Sequence, residues 1–216
     1  MKKSYVYLLT TFMLWGSLYV VSQFVLGKIP TFTVAMFRYL IAFIALSLIS
    51  LKSEKEKIEK SDYKYFFIMG FIGYFISVDC QLLGTKIAGG SMASLINSLN
   101  PVIISVMAMI ILNEKLEMNK IVGIVLSLAG VYMIIGTGAN IQFLGVLISF
   151  IAVIGWAFMS VISRKISNKY SALTLTKVSM LIATVCNIPV SFLEIQITHP
   201  LIQIDIGAIL GILYMG

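Results

Sequence analysis

Long apolar runs separated by short polar segments dominate the pattern of hydrophobic and polar positions along the chain. A helix needs about 20 apolar residues to cross the hydrocarbon of a bilayer. Seven runs approach or exceed that length: Tyr5–Leu26, Thr31–Leu51, Tyr63–Gly84, Ser91–Leu112, Ile121–Gly136, Phe143–Ser163 and Ala172–Leu193. An eighth run begins near Ile204 and continues to Gly216. The pattern therefore predicts seven full transmembrane helices and a partial eighth.

The composition supports the same fold class. Hydrophobic residues make up 59% of the 216 residues and charged residues only 12%, whereas a typical soluble domain is roughly 25% charged. A soluble protein of this size cannot cover so much apolar surface. The first run has no small-residue cleavage motif, so we interpret it as a retained span rather than a signal peptide. The chain is predicted to be an all-α polytopic membrane protein.

The positive charges predict how the helices are oriented. On one side of the predicted membrane lie twelve basic residues: Lys2, Lys3, Lys52, Lys55, Lys57, Lys60, Lys64, Lys115, Lys120, Arg164, Lys165 and Lys169. The other side carries Lys28 and Lys86, while Arg38 and Lys177 fall inside spans. Basic loops stay in the cytoplasm, so the pattern predicts a multi-pass protein of the cell membrane with a cytoplasmic N-terminus. Charges placed in this way encode topology, and no nucleic-acid partner is expected.

An internal repeat is indicated when the sequence is aligned with itself at an offset of 141 residues. Trp15 then falls on Trp156 and Lys28 on Lys169. Chance similarity between apolar helices is the alternative explanation. The offset aligns span one with span six, so the unit has five helices and its second copy is inverted, as in many secondary transporters. We expect residues 1–137 to form the first repeat and residues 141–216 an incomplete second one.

The missing part of the second repeat predicts a consequence for activity. The partners of spans four and five would fall at about residues 232–278, beyond Gly216. One wall of a central cavity would then be open. We therefore expect the 216-residue chain to bind or transport poorly unless its native downstream sequence or a second copy completes the cavity.

Several short motifs occur in a characteristic order along the spans. They are Trp15-Gly16, Phe37-Arg38-Tyr39 with Ala42, Ala93 through Leu99, Asn100-Pro101-Val102, Asn113-Glu114-Lys115-Leu116, and Gly123 with Gly130. In order and spacing the chain resembles the EamA-like type of the drug/metabolite transporter superfamily. That resemblance implies ten spans in two inverted five-helix repeats and secondary transport of small solutes. It also implies a role for Arg38, which matches the arginine of the second helix.

Ionisable residues at membrane depth are costly and are therefore candidates for function. Arg38 and Asp79 lie at similar depth on successive spans, so they are candidates for a buried ion pair or for direct handling of a substrate or proton. Each could also face water separately. For Lys177 we expect the long side chain to reach the headgroup region.

Span four carries a second group of candidates, Asn97, Asn100 and Pro101. A proline at mid-span removes one helical hydrogen bond and frees the Asn97 carbonyl, which needs a polar partner in the membrane. Amide side chains and freed carbonyls near the midplane are typical of transporter sites. A purely structural kink is the alternative.

Aromatic residues near the middle of spans form the third group of candidates. Tryptophan normally collects at the membrane interfaces, yet Trp15 and Trp156 lie near mid-span. Tyr19 shares a helical face with Trp15, and Tyr74 lies midway along span three. These four side chains could wall a shared cavity or could be ordinary core packing.

These features favour one function over two others. We expect a secondary transporter, an exporter, that moves a small metabolite or amino-acid-like solute by alternating access. The alternative is a non-transporting scaffold or channel-like subunit that needs a partner chain. A metal or cofactor is not expected, because Cys80 and Cys186 lie inside apolar segments and His199 is the single histidine. An enzyme is not expected either, because the sequence has no paired carboxylates and no phosphate-binding loop. The bilayer and a small solute are the expected partners, and the spacing of Gly123 and Ser127 leaves a homodimer open.

Overall fold

The structure, a computed structural model, describes residues 2–51, 56–114, 118–135 and 142–216. Every regular element in these ranges is helical. The helices are α1 (Lys2–Leu26), α2 (Thr31–Ser50), α3 (Tyr63–Ile68), α4 (Ser77–Ala88), α5 (Gly90–Asn97), α6 (Asn100–Leu112), α7 (Met118–Ile135), α8 (Phe143–Ile166), α9 (Ala172–Thr198) and α10 (Ile206–Met215). A short 3-10 turn, Lys60–Asp62, precedes α3, and a π-helical segment, Met69–Ile76, joins α3 to α4. The predicted positions Lys52, Lys55, Lys115 and Gly136 lie outside the described residues.

Six helical segments within the described ranges are long and apolar enough to cross a membrane. They are Tyr5–Leu26, Thr31–Ser50, Lys60–Ala88, Gly90–Leu112, Phe143–Ile166 and Ala172–Thr198. Each coincides with a predicted span, and α7 and α10 occupy the places of the fifth and eighth. The prediction of an all-α polytopic membrane protein is confirmed.

The third span, Lys60–Ala88, packs tightly against α8. A Cβ atom added at Gly84 would lie 2.3 Å from the Ser149 hydroxyl oxygen and 3.2 Å from the Gly145 carbonyl oxygen. On the opposing helix, a Cβ at Gly145 would lie 2.7 Å from the Ala88 backbone nitrogen. Glycine on both helices therefore lets the two backbones approach closely.

The fourth span, Gly90–Leu112, follows after a single residue and is broken in its middle. Gly89 makes the turn with a φ of 85°, a conformation that glycine adopts without strain. The helix then stops at Asn97 and restarts at Asn100, so Pro101 lies in the first turn of α6. A first-turn proline removes no helical hydrogen bond. The predicted kink is therefore a break between two helices.

Buried side chains form two clusters that meet in the middle of the bundle. One cluster, centred on Tyr39, joins α1, α2, α4, α9 and α10, and the other, centred on Phe66, joins α3, α8 and α9. Tyr74 and Trp156 pack against both clusters. The candidate site is therefore built on the junction of the two.

Helices α2 and α9 pack antiparallel along their lengths, and one residue of α9 ties their ends together. The N-terminus of α2 follows Pro30, which provides no side-chain cap. Instead the two Glu194 carboxylate oxygens accept hydrogen bonds from the backbone N–H groups of Thr31 and Phe32, each at 2.9 Å. A carboxylate is stabilising at this position because the first N–H groups of a helix have no partner inside it.

Replacing Glu194 should therefore weaken the fold measurably. We expect Glu194→Ala to lower the free energy of unfolding by about 1–2 kcal/mol, because two N–H groups lose a charged acceptor. The thermal unfolding midpoint of detergent-purified protein measures this loss. As a matched control, Glu114→Ala removes an exposed ion pair with Arg164, which should contribute less than about 1 kcal/mol. Equal midpoints for the two variants would contradict the role of Glu194.

Candidate functional site

A small cavity in the middle of the bundle brings together most of the predicted site residues. Its volume is about 90 Å³, and its lining comprises Trp15, Leu18, Tyr19, Arg38, Val78, Gln81, Asn97, Asn100 and Trp156. A water molecule occupies about 30 Å³ of liquid, so this conformation has room for only a few non-hydrogen atoms. Trp15, at its edge, is 42% exposed, so the cavity is small but not sealed.

Aromatic rings form one continuous wall beside this cavity. The Trp15 and Trp156 ring centroids lie 5.8 Å apart, and Trp156 lies 5.8 Å from Tyr74, both in edge-to-face geometry. Tyr74 in turn meets Tyr39 at 6.1 Å, and the Tyr39 hydroxyl donates to the Tyr74 carbonyl oxygen at 2.7 Å. Tyr74 thus contacts both Trp156 and Tyr39 and lies outside the lining of the cavity. The two indoles, from spans aligned by the internal repeat, face each other.

The polar groups of the cavity are short of partners. Arg38 is half-buried, and its guanidinium carbon lies 5.7 Å from the Tyr39 ring centroid. Within the described residues its side chain makes no hydrogen bond or ion pair. The Tyr19 hydroxyl and the Asn100 side-chain oxygen are buried without a hydrogen-bond partner. The Asn100 amide nitrogen donates to the Asn97 side-chain oxygen. Buried polar groups normally have partners, so this cavity presents a cation, a hydroxyl and an amide oxygen to whatever enters it.

Asp79 lies beside the cavity but is not part of its lining. It is 4% exposed, and one of its oxygens accepts from the Asn187 amide of α9 at 3.5 Å. The Arg38–Asp79 ion pair that their similar depth suggested does not form, since the ion pairs of the described ranges involve other residues. The two residues interact only at longer range. The nearer polar neighbour of Asp79 comes from α9.

Two other predicted residues lie away from the cavity. Pro101 is exposed on the surface of α6. The Lys177 ammonium donates to the Ser50 hydroxyl at 3.1 Å, near the end of α2.

The sequence reasoning missed Gln81, Asn187 and Glu194. Gln81 and Asn187 are polar residues inside apolar runs, a signal that could have identified them. Glu194 follows the predicted end of its span by one residue, so it was treated as part of a loop.

Polar contacts close the bundle at what we call the Lys28 end, which comprises Lys28, Asp205, and Glu194 with its α2 partners. Lys28 pairs with Asp205, which also caps α10 by accepting from the Ala208 N–H at 2.7 Å. The hydrogen bond from Lys28 is the main cause that lowers the pKa of the Asp205 carboxyl below its ordinary value. This pair therefore persists at neutral pH. A cleft of about 530 Å³, lined in part by Gln23, Lys86 and Glu194, lies at this end.

A second set of contacts closes the opposite, Lys169 end, which comprises Glu56, Glu59, Asp62, Lys169 and Tyr170. The buried Asp62 accepts from the Lys169 ammonium at 3.1 Å and from the Tyr170 hydroxyl at 2.9 Å. The hydrogen bond to Asp62 is the main cause that raises the pKa of the Lys169 ammonium. Glu56 accepts from the backbone N–H of Ser171, the N-cap of α9, with both oxygens at 3.1 Å. A cleft of about 430 Å³ lies beside them.

The two ends use the same chemistry in reciprocal fashion. Lys28 and Lys169 are aligned by the 141-residue offset, and each binds an aspartate of the other predicted repeat. Lys28 binds Asp205, which precedes α10, and Lys169 binds Asp62, which precedes α3. A glutamate near the end of α9 caps α2, and one that follows α2 binds the N-terminus of α9. Contacts between the two halves thus hold both ends.

Comparison with known proteins identifies the family of this chain. Residues 2–136 match the EamA-like transporter family. The chain is 28% identical over 199 residues to the uncharacterized transporter YetK of Bacillus subtilis, covering 88% of this chain and 60% of that protein. An uncharacterized transporter of Clostridium kluyveri is 26% identical over 229 residues, covering 100% of this chain and 73% of its own length. One from Archaeoglobus fulgidus is 22% identical over 183 residues, covering 85% and 65%.

The chain thus spans between 60% and 73% of the length of these relatives. The family match covers more than half of the chain, and the helical bundle with its six candidate membrane spans agrees with it. The chain belongs to the EamA-like transporter family.

Proposed function

We propose that the protein is a secondary transporter that exports a small metabolite or amino-acid-like solute with an anionic group across the cell membrane. The observation that carries the proposal is Arg38, a guanidinium without a hydrogen-bond partner among the described residues, facing a cavity walled by Trp15 and Trp156. Guanidinium groups recognise carboxylates and similar anions through paired hydrogen bonds. Indole rings favour a flat apolar part of the same solute.

Alternating access is supported by the small volume of the cavity and by the matched ends. A cavity of about 90 Å³ cannot admit a typical metabolite unless the lining helices separate, since ligand pockets usually measure about 300–1,000 Å³. A cleft lies at each end, and the residues that make the polar contacts of that end form part of its lining. Opening the Lys28 end and the Lys169 end in turn would expose the cavity first to one side and then to the other.

The orientation in the membrane is part of the same proposal. The Lys169 end gathers most of the basic loop residues, so we assign it to the cytoplasm, with the N-terminus on that side. The Lys28 end then faces the outside.

Binding to Arg38 can be tested with a permanently charged probe and its neutral counterpart. Both tryptophans of the chain line the cavity, so a ligand that enters it should change their fluorescence. We expect benzenesulfonate, but not benzenesulfonamide, to change the emission of detergent-purified protein in a saturable way. Arg38→Met should weaken benzenesulfonate binding roughly 10- to 100-fold, because it removes a charge-assisted hydrogen bond of about 1.5–3 kcal/mol.

A second cation provides the control for this experiment. Lys86 lines the cleft at the Lys28 end rather than the cavity, so Lys86→Met should bind benzenesulfonate like the wild type. Trp15→Phe and Trp156→Phe should each retain part of the signal. Equal affinity for the anion in wild type and Arg38→Met would refute an anion site at Arg38.

A further inference from the structure

Asp79 and Asn187 form a buried polar pair that the cavity does not use. Asp79 is 4% exposed and Asn187 is 0% exposed. One contact joins them, from the Asn187 amide nitrogen to the first Asp79 oxygen at 3.5 Å. The other Asp79 oxygen and the Asn187 side-chain oxygen are both buried without a hydrogen-bond partner. Two acceptor oxygens with no donor therefore lie on neighbouring side chains.

A single proton would satisfy this pair. A charged carboxylate buried with one long contact is costly, because the lost hydration is not replaced. Protonation of the second Asp79 oxygen turns it into a donor, and the Asn187 oxygen is an acceptor in need of one. The acid and the amide can then bond to each other through both of their polar groups.

The charged and titratable groups around Asp79 come from three elements. Arg38 of α2 attracts a negative charge on Asp79, and Glu194 of α9 repels it. Tyr39, Cys80 and Cys186 are its other titratable neighbours. The Tyr39 hydroxyl already donates to Tyr74, so it is engaged elsewhere. Arg38 is thus the group that a deprotonated Asp79 would draw toward itself.

The pair also lies at two irregular points of the helices. The π-helical segment ends at Ile76, three residues before Asp79, and Pro189 follows Asn187 by two residues inside α9. Wide π turns and internal prolines are places where helices bend or rearrange. A change of charge at Asp79 therefore acts where both helices can respond.

We propose that Asp79 and Asn187 form a binding site for one proton, and that its occupancy decides whether Arg38 is available to an anionic solute. With the proton bound, Asp79 is neutral and Arg38 faces the cavity. With the proton released, the Asp79 carboxylate competes with the solute for Arg38. Solute anion and proton then bind together and cross together, so export of the solute down its outward gradient carries a proton with it. This coupling rests on the proposed function, whereas the proton site itself does not.

The pH dependence of benzenesulfonate binding tests the coupling. The sulfonate stays charged at every pH used, so only the protein titrates. We expect the wild-type affinity to fall by up to about tenfold per pH unit above the titration of Asp79, as one linked proton requires. Asp79→Asn, which imitates the neutral acid, should bind with little pH dependence. His199→Gln removes the one histidine and should keep the wild-type slope. A wild-type slope in Asp79→Asn would overturn the coupling.

Infrared spectroscopy without any solute tests the proton site independently. We expect the carbonyl stretch of a protonated carboxyl group in the wild type and its loss in Asp79→Asn. Asp205→Asn, which changes a carboxyl outside the pair, should keep it. Asn187→Leu should shift the stretch to higher frequency, since the acid loses its acceptor. If the wild type has no such band, the proton site is refuted. If the band is present but benzenesulfonate does not bind, the site stands and the anionic solute is refuted.

Discussion

A leucine at position 84 is expected to separate the third span from α8 and to leave little folded protein. The Cβ alone would lie 2.3 Å from the Ser149 hydroxyl and 3.2 Å from backbone atoms of α8, and the remaining three carbons have no space. Overpacking of this kind costs about 1–3 kcal/mol where side chains can yield, and backbone cannot yield in the same way. We therefore expect Gly84→Leu to lose about 3 kcal/mol of stability, measured as the thermal midpoint in detergent.

Gly16 provides a control that separates the effect of crowding from the effect of replacing a glycine with leucine. A Cβ at Gly16 would meet no atom within 4 Å. Because leucine favours the helical state over glycine by somewhat less than about 1 kcal/mol, Gly16→Leu should be as stable as the wild type or more so. A Gly84→Leu protein that melts with the wild type would show that the third span and α8 are packed less closely than described.

A reversible cross-link between α2 and α9 is expected to stop transport completely. The Thr33 and Ser191 hydroxyl oxygens lie 2.8 Å apart in the buried interface at the Lys28 end, so short side chains there are close enough for a disulfide. In a background with Cys80→Ala and Cys186→Ala, oxidised Thr33→Cys/Ser191→Cys should hold the two halves together at that end. Whatever rate of benzenesulfonate transport into vesicles the reduced double variant has should fall to background on oxidation and return after reduction.

The single-cysteine variants are the controls for this lock. Thr33→Cys and Ser191→Cys alone should respond to neither oxidant nor reductant. If the fully cross-linked protein transports at the uncross-linked rate, then this end does not open during transport and the proposed mechanism is wrong. Binding of the probe should survive the lock, which separates loss of movement from loss of the site.

Helices and the polar residues that interrupt them could be predicted because both leave local signals. The apolar run from Thr31 predicted α2, and the position of Arg38 inside this run identified it as a charge at membrane depth. Sequence gives the depth of a residue more readily than the direction it faces. Equal depth predicts Arg38 as a neighbour for Asp79, whereas the residue whose amide contacts Asp79 is Asn187, more than a hundred positions away.

Contacts between distant segments escaped prediction for a related reason. Glu194 binds the start of α2 only because α9 lies antiparallel to it, and no local pattern near Glu194 encodes that neighbour. The break before Asn100 was predicted as a kink because proline marks a weak point but does not specify whether the helix bends or restarts. Packing against the rest of the bundle decides between the two.

The two ends of the bundle are not equally secured, and this inequality has a kinetic consequence. Lys169 binds both Asp62 and Glu59, and Arg164 pairs with Glu114, so among the described residues the Lys169 end has more ion pairs than the Lys28 end. For a carrier whose ends open in turn, most molecules at rest would then present their site toward the Lys28 side. Apparent affinity scales with the fraction of molecules that present the site. Half-saturation should therefore occur at a lower solute concentration on the outer face than on the inner face. Solute exchange started from the two sides should differ in its concentration dependence, although the final distribution of solute is the same.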